Sequence, residues 1–262
     1  MSSKKKSVID RTPTNAPSKL GTATFTLGRL SDAPLQYFMF TEGWAVKALT
    51  SVGIRASSLL LTTGPGVAGL APIPTLMTGM YAVAGLRHAY WVLFTNSYDW
   101  KLPEASMVVL YNTFLNTTSS LVAAHALTSS PLPILGDRLI DCIGWKQWAG
   151  ITLFTTGIAI ELISEQTRKA FKKDLRNKGK IDDTGLWGLV RHPNYLGYTL
   201  WRTGIMLTTG SLTASALMAV FQIIAFTTGG IPDISAHMAD RYGAQWEDYK
   251  QRVPSALIPG IL

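Results

Sequence analysis

Charge is scarce in this sequence: 15% of its 262 residues are Asp, Glu, Lys or Arg, against about 25% in an ordinary soluble domain. Cysteine is scarcer still. Cys142 stands alone, which excludes an intrachain disulfide and any cysteine-based zinc or iron–sulfur centre, so no metal site is expected. Standing alone, it reads as an inert thiol. A secretory leader is not visible: Lys4-Lys5-Lys6 runs into polar, Pro-containing sequence, so insertion is expected to use an internal span. No zinc or Ser-His-Asp signature is present, which argues against hydrolase chemistry, and no internal repeat stands out.

What remains is apolar. Hydrophobic residues make up 47% of the chain, and mean hydropathy is +0.18 although 24 Lys+Arg and 16 Asp+Glu are present. Charge must therefore be concentrated, leaving long stretches nearly free of it. The expected fold class is all-α, a polytopic integral membrane helical bundle of about six transmembrane helices. The net charge of +8 lies in the N-terminal tail and in one block near residue 170. That pattern fits cytosolic loops facing anionic lipid or an anionic cofactor, and no nucleic acid is expected as a partner.

Residues 1–33, rich in Ser, Thr, Pro and Lys, are expected to form a disordered cytosolic tail, with 34–262 a single membrane domain. Spans are expected at Leu35–Ile54, Thr75–Phe94, Glu104–Leu127 and Trp145–Ile163. A short hairpin follows, Tyr195–Thr209 and Leu212–Thr228, turned at Gly210-Ser211, and residues 232–262 return as a polar, aromatic ending. Four spans between two basic segments put both on the cytosolic side, as the positive-inside rule requires. Both termini are then cytosolic, in an intracellular membrane such as the endoplasmic reticulum. Gly64-Pro-Gly66-Val-Ala-Gly69 matches G-x-G-x-x-G, but Pro72 and Pro74 interrupt the following helix. No acidic residue stands at the required distance, so a dinucleotide-binding strand–helix turn is excluded there.

The stretch from Glu161 to Gly204 carries the chemistry. Glu161, Glu165 and Lys169 follow at one-turn intervals along a helix leaving the membrane. Eight basic residues follow closely: Arg168, Lys169, Lys172, Lys173, Arg176, Lys178, Lys180 and Arg191. Then Arg191-His192-Pro193-Asn194-Tyr195 precedes an apolar helix. Proline suits a helix's first turn, and a helix N-terminus flanked by arginine favours an anion. Gly197 permits close approach of a ligand or of a neighbouring backbone. A plain interfacial turn contacting lipid headgroups would use the same residues.

GLWGLVRHPNYLGY, with the preceding FKKDLRNKGKIDDTGLW and the RYG, W-x-x-Y and VP…IPG elements of the ending, resembles the membrane family that includes the steroid 5α-reductase C-terminal domain. The ending is also similar to that of sterol C14-reductases. This resemblance covers residues 161–262. It implies an all-helical membrane enzyme that holds NADPH from the cytosol and reduces a carbon–carbon double bond in a sterol- or polyprenoid-like lipid. Its cofactor residues would be Glu165, Arg168, Lys178, Lys180, Asn194 and Tyr195. Arg191 and His192 would attend the phosphates, and Tyr242 and Tyr249 would close the site. Two departures bear on the chemistry. Tyr198 stands where that family has Glu, and the acid usual after GIP is missing or displaced to Asp233. A catalytic acid should come from the N-terminal half, where Glu42, Tyr81, His88 and Tyr90 qualify by chemistry only. The same turn also resembles isoprenylcysteine carboxyl methyltransferases and phospholipid methyltransferases, which bind S-adenosylmethionine. An aromatic residue after the glycine is closer to their pattern, although their paired Glu residues are missing from Ile231–His237. A non-catalytic membrane partner is the third alternative.

Overall fold

A computed structural model describes residues 18–129 and 137–262. The lysine-rich start of the chain lies outside the described residues. Every regular element described is helical. In order these are α1 (Lys19–Thr41), α2 (Trp44–Ser51), α3 (Leu59–Thr62), α4 (Pro72–Tyr90), α5 (Leu102–Ser129), α6 (Trp145–Lys173), α7 (Leu186–Leu189), α8 (Pro193–Thr208), α9 (Leu212–Ala225), α10 (Ile231–Tyr242) and α11 (Ala244–Arg252). Two compact units emerge. One comprises the described residues up to Gly150 with Ile205–Ala214, the other Ile151–Gly204 with Ser215–Leu262.

In the first unit α1 packs along α4 and α5. Residues 19–33, expected in a disordered tail, are thus helical. Composition misled here because the buried face of α1 is partly polar. Phe25, Arg29, Asp32, Gln36 and Phe40 are all buried at intervals of three and four, the spacing of one helical stripe. Ser18 caps α1, accepting from the amide of Gly21 at 3.1 Å.

The polar part of that stripe forms a closed network. Asp32 Oδ2 accepts from Arg29 Nη1 at 2.9 Å and from Asn116 Nδ2 at 2.5 Å, and Asp32 Oδ1 accepts from Gln36 Nε2 at 3.1 Å. Arg29 Nε donates to His88 Nδ1 at 3.1 Å. Ser120 Oγ donates to Gln36 Oε1, and the Tyr81 hydroxyl donates to the carbonyl of Asn116. The Arg29–Asp32 pair has no solvent-exposed side-chain surface. Three helices are therefore fastened by groups that would be costly to bury singly.

The expected span Leu35–Ile54 is broken instead at Glu42-Gly43, where Gly43 adopts φ +66°. The expected helices at 75–94, 104–127 and 145–163 appear, the last extended to Lys173. The arm beginning at Leu212 also runs further than expected. It passes through a π-helical turn, Phe226–Gly230, into α10, so residues 232–242 are helical. This 31-residue run, Leu212–Tyr242, is the one helix among the described residues that meets both the length and the hydropathy needed to cross a membrane, at 1.6 in its most apolar window.

Candidate functional site

The second unit assembles the sequence motif around two helices in unusually close contact. Gly157 on α6 faces Gly197 on α8. A Cβ at Gly197 would lie 2.7 Å from both the amide nitrogen of Glu161 and the carbonyl of Gly157. The neighbour that Gly197 admits is therefore a backbone. This approach brings carboxylates of α6 beside the first turns of α8. Glu161 accepts from Trp201 Nε1 at 2.9 Å. Glu165, 4% exposed, accepts from Arg168 Nη2 at 2.7 Å and from Asn194 Nδ2 at 3.1 Å.

Trp187 is the pivot of the cluster. Its Nε1 donates to the carbonyl of Ser164 at 3.0 Å, and its carbonyl accepts from the Tyr249 hydroxyl at 2.6 Å. The guanidinium of Arg168 lies 5.5 Å from its ring centre. Tyr249 is packed with Trp246 and Val253, and burial pushes its hydroxyl up from the ordinary value. Tyr242 accepts from Lys172 Nζ at 2.9 Å. Lys178 and Lys180 are exposed.

Arg191 and His192 close the C-terminal segment onto α8. The amides of Arg191 and His192 donate to the carbonyls of Ser255 and Ala256, each at 3.0 Å. Arg191 Nη1 donates to the carbonyls of Val253 and Pro254 at 2.7 and 2.6 Å. Part of the expected phosphate clamp is thus spent on the chain's own ending. His192 brings no charge either. Burial, with the Arg191 cation adding, holds its imidazole down at about 3, so it is neutral at pH 7. It stacks on Tyr195 with ring centres 5.4 Å apart, and Tyr195 stacks on Phe226 of the π-helical turn at 4.3 Å. Such turns recur at functional sites.

Three buried polar atoms here lack a hydrogen-bond partner: Asp182 Oδ2, Arg191 Nε and His192 Nε2. Asp182 uses only Oδ1, which accepts from the amide and hydroxyl of Thr184. Native interiors rarely leave such groups unmet. These are a carboxylate acceptor, a guanidinium donor and a neutral imidazole. Spacing alone could not single out Asp182, whose signal is only its place in Asp182-Asp183-Thr184-Gly185.

Near the α6–α8 contact two carboxylates, Glu161 and Glu165, and one guanidinium, Arg202, are buried, while Arg168, paired with Glu165, stays partly exposed. Arg202, 1% exposed, lies 4.3 Å from the centre of Trp201, and its Nε donates to the Tyr198 hydroxyl at 3.2 Å. Tyr198 therefore anchors a buried cation. Of the expected catalytic acids, His88 and Tyr81 are buried in the network of the first unit, whereas Glu42 and Tyr90 are exposed. Among the described residues no group of His, Cys, Asp and Glu could hold a metal ion.

His192 makes stability depend on pH with a definite sign. Its folded value lies near 3 and its ordinary value is 6.5, so between those limits the unfolded chain binds the extra proton. Stability is fully present above pH 6.5 and is lost as pH falls towards 3, at up to about 1.4 kcal/mol per pH unit. Thermal melts between pH 7 and pH 4 should fall more steeply for the wild type than for His192→Gln; parallel profiles contradict the assignment.

The fold and cluster define a class, an all-helical protein whose α6–α8 junction carries a buried, partly unsatisfied polar site. The chain belongs to the protein family of unknown function DUF1295, whose model matches residues 101–253. It is similar to "Probable O-methyltransferase ustE" of Ustilaginoidea virens, 32% identical over 173 residues, which is 66% of this chain and 60% of that protein. Human protein-S-isoprenylcysteine O-methyltransferase is 25% identical, with 94% of each chain covered. Mouse Delta(14)-sterol reductase TM7SF2 is 34% identical over 86 residues, 30% of this chain and 19% of that protein. The chain thus spans three-fifths of the first of these relatives and a fifth of the reductase. The named relatives are enzymes of two reaction types.

Proposed function

We propose that this protein is a membrane-embedded methyltransferase that uses S-adenosylmethionine to methylate a hydrophobic acceptor. The carrying observation is the set of three buried, unpartnered atoms on Asp182, Arg191 and His192. Their chemistry suits adenosine, and the pairing of Glu165 with Arg168 suits a cofactor close to neutral overall. NADPH brings about four negative charges, and its recognition calls for cations aimed inward. Here Arg168 is paired with Glu165, Arg191 Nη1 is spent on carbonyls, and His192 is neutral.

In this reading Asp182 and His192 hold the adenosine group, and Glu165, fixed by Arg168 and Asn194, accepts from a hydroxyl or ammonium of the cofactor. Tyr195 and Phe226 keep water from one side of the site. S-adenosylmethionine, when bound, supplies an electrophilic methyl group. The apolar helices are read as a polytopic bundle of about six spans with both termini cytosolic, in the endoplasmic reticulum, so that acceptor and cofactor meet at the membrane face. The near full-length similarity to an isoprenylcysteine methyltransferase supports this over a reading confined to the C-terminal third.

A second reading, NADPH-dependent reduction of a double bond in a sterol- or polyprenoid-like lipid, is favoured by the sterol-reductase similarity and by the exposed Lys173, Lys178 and Lys180. Incubating membranes that contain the overproduced protein with methyl-labelled S-adenosylmethionine separates the two. Label is expected in the organic-soluble fraction, and Asn194→Ala should lower it by about tenfold, the factor that follows from losing one charge-assisted hydrogen bond. Lipid-dependent oxidation of NADPH without label transfer would select the reductase instead.

A further inference from the structure

In the first unit, the segment after α4 holds two more buried polar atoms without a partner, Trp100 Nε1 and Asn96 Oδ1. Trp100 is 4% exposed and sits in an aromatic cluster, with ring centres 5.1 Å from Phe25, 5.7 Å from Tyr98 and 6.0 Å from Trp91. Asn96 is tied to the same cluster because its Nδ2 donates to the carbonyl of Tyr98. A buried indole N–H ordinarily finds an acceptor, and leaving it or an amide oxygen unmet is costly.

Slack in the loop does not account for these orphans. The amide of Ser18 donates to Asp99 Oδ1 at 2.6 Å, and Gly21 meets the Trp100 carbonyl so closely that no Cβ fits between them. The segment is thus clamped to α1 with a donor and an acceptor unmet. Trp91 and Tyr98 are only partly buried, so the cluster reaches the surface. Trp91 opens a π-helical turn, Trp91–Thr95, whose Leu93 and Phe94 are 50% and 60% exposed. Exposed apolar residues therefore belong to the same segment as the polar pair.

A group with an acceptor for Trp100, a donor for Asn96 and an apolar tail for Leu93 and Phe94 would meet all of these residues. We propose that this cluster binds a phospholipid of the ethanolamine type. Trp100 Nε1 donates to a phosphate oxygen, and Asn96 Oδ1 accepts from the primary ammonium, which lies by the aromatic faces of Trp91 and Tyr98. A choline headgroup has no N–H for Asn96, and a glycerol headgroup has no cation for the rings. Tryptophan and tyrosine are the residues that favour the headgroup level of a bilayer. The inference rests on the membrane reading above and is independent of the cofactor.

Native mass spectrometry of the full chain in mild detergent tests it, with phosphatidylethanolamine, phosphatidylcholine and phosphatidylglycerol of matched acyl chains. Phosphatidylethanolamine is expected to be retained about tenfold better than the others, the factor of one charge-assisted hydrogen bond. Trp100→Phe, which keeps a ring and removes the N–H, and Asn96→Ala should each bring it down to the phosphatidylcholine level. Equal retention of the three lipids by the wild type overturns the proposal, and so does undiminished preference in both variants, which would mean that water meets the two atoms. If Trp100→Phe does not fold, the wild-type comparison and Asn96→Ala decide. Retention of no lipid of any class would remove the membrane reading as well, which keeps the two failures distinguishable.

Discussion

Asp32→Ala is expected to destabilise the protein by about 3–5 kcal/mol, the cost of breaking a fully buried ion pair from one side. The carboxylate is the hub of its network. Arg29, Gln36 and Asn116 all donate to it, from α1 and α5. Removing it leaves a buried guanidinium without its counter-charge and the Asn116 amide without this acceptor, while Gln36 keeps Thr117. For a chain of this length that corresponds to a melting temperature lower by roughly 10 °C. Replacing both partners, Arg29→Met with Asp32→Leu, should recover much of the loss, because no charge then remains to be compensated. A single-variant loss below about 1 kcal/mol would mean that the network does not hold α1 to α5.

Gly197→Ala has the second large effect, and it falls on binding as well as on stability. The added methyl would meet the backbone of Glu161 and Gly157 at 2.7 Å, atoms that no rotamer change can move. Overpacking of this kind costs about 1–3 kcal/mol, and relief requires α6 and α8 to separate. Separation stretches the Asn194–Glu165 hydrogen bond, which spans the same helix pair, so cofactor affinity should fall too. Gly79→Ala is the matched control. Gly79 lies within α4, and a Cβ there meets nothing within 4 Å, so the better helix propensity of alanine should stabilise by up to about 1 kcal/mol. Equal behaviour of the two variants would contradict the close crossing.

Much of the α6–α8 region was legible because its signals are local. Pro193 at a helix start, small Gly197 one turn on, and carboxylates at one-turn intervals are read directly from spacing. α1 was not legible from composition. Hydropathy counts Arg29, Asp32 and Gln36 against burial, since their mutual pairing is invisible until α5 is placed beside them; their i, i+3, i+7 spacing was the available signal. The partners of Arg191 were hidden for a related reason. A lone arginine before a helix reads as an anion clamp, and only the fold brings the carbonyls of Val253 and Pro254 to it. The burial that neutralises His192 is likewise tertiary. Both features support the proposal of a cofactor of little net charge.

Equilibrium binding of cofactors to the purified full chain in detergent tests the central claim most directly. Saturable binding of S-adenosylmethionine is expected, weakened at least tenfold by His192→Ala and by Asp182→Asn, with NADPH binding weak and unaffected by either change. Tight NADPH binding that depends on Lys178 and Lys180, with no binding of S-adenosylmethionine, would contradict it.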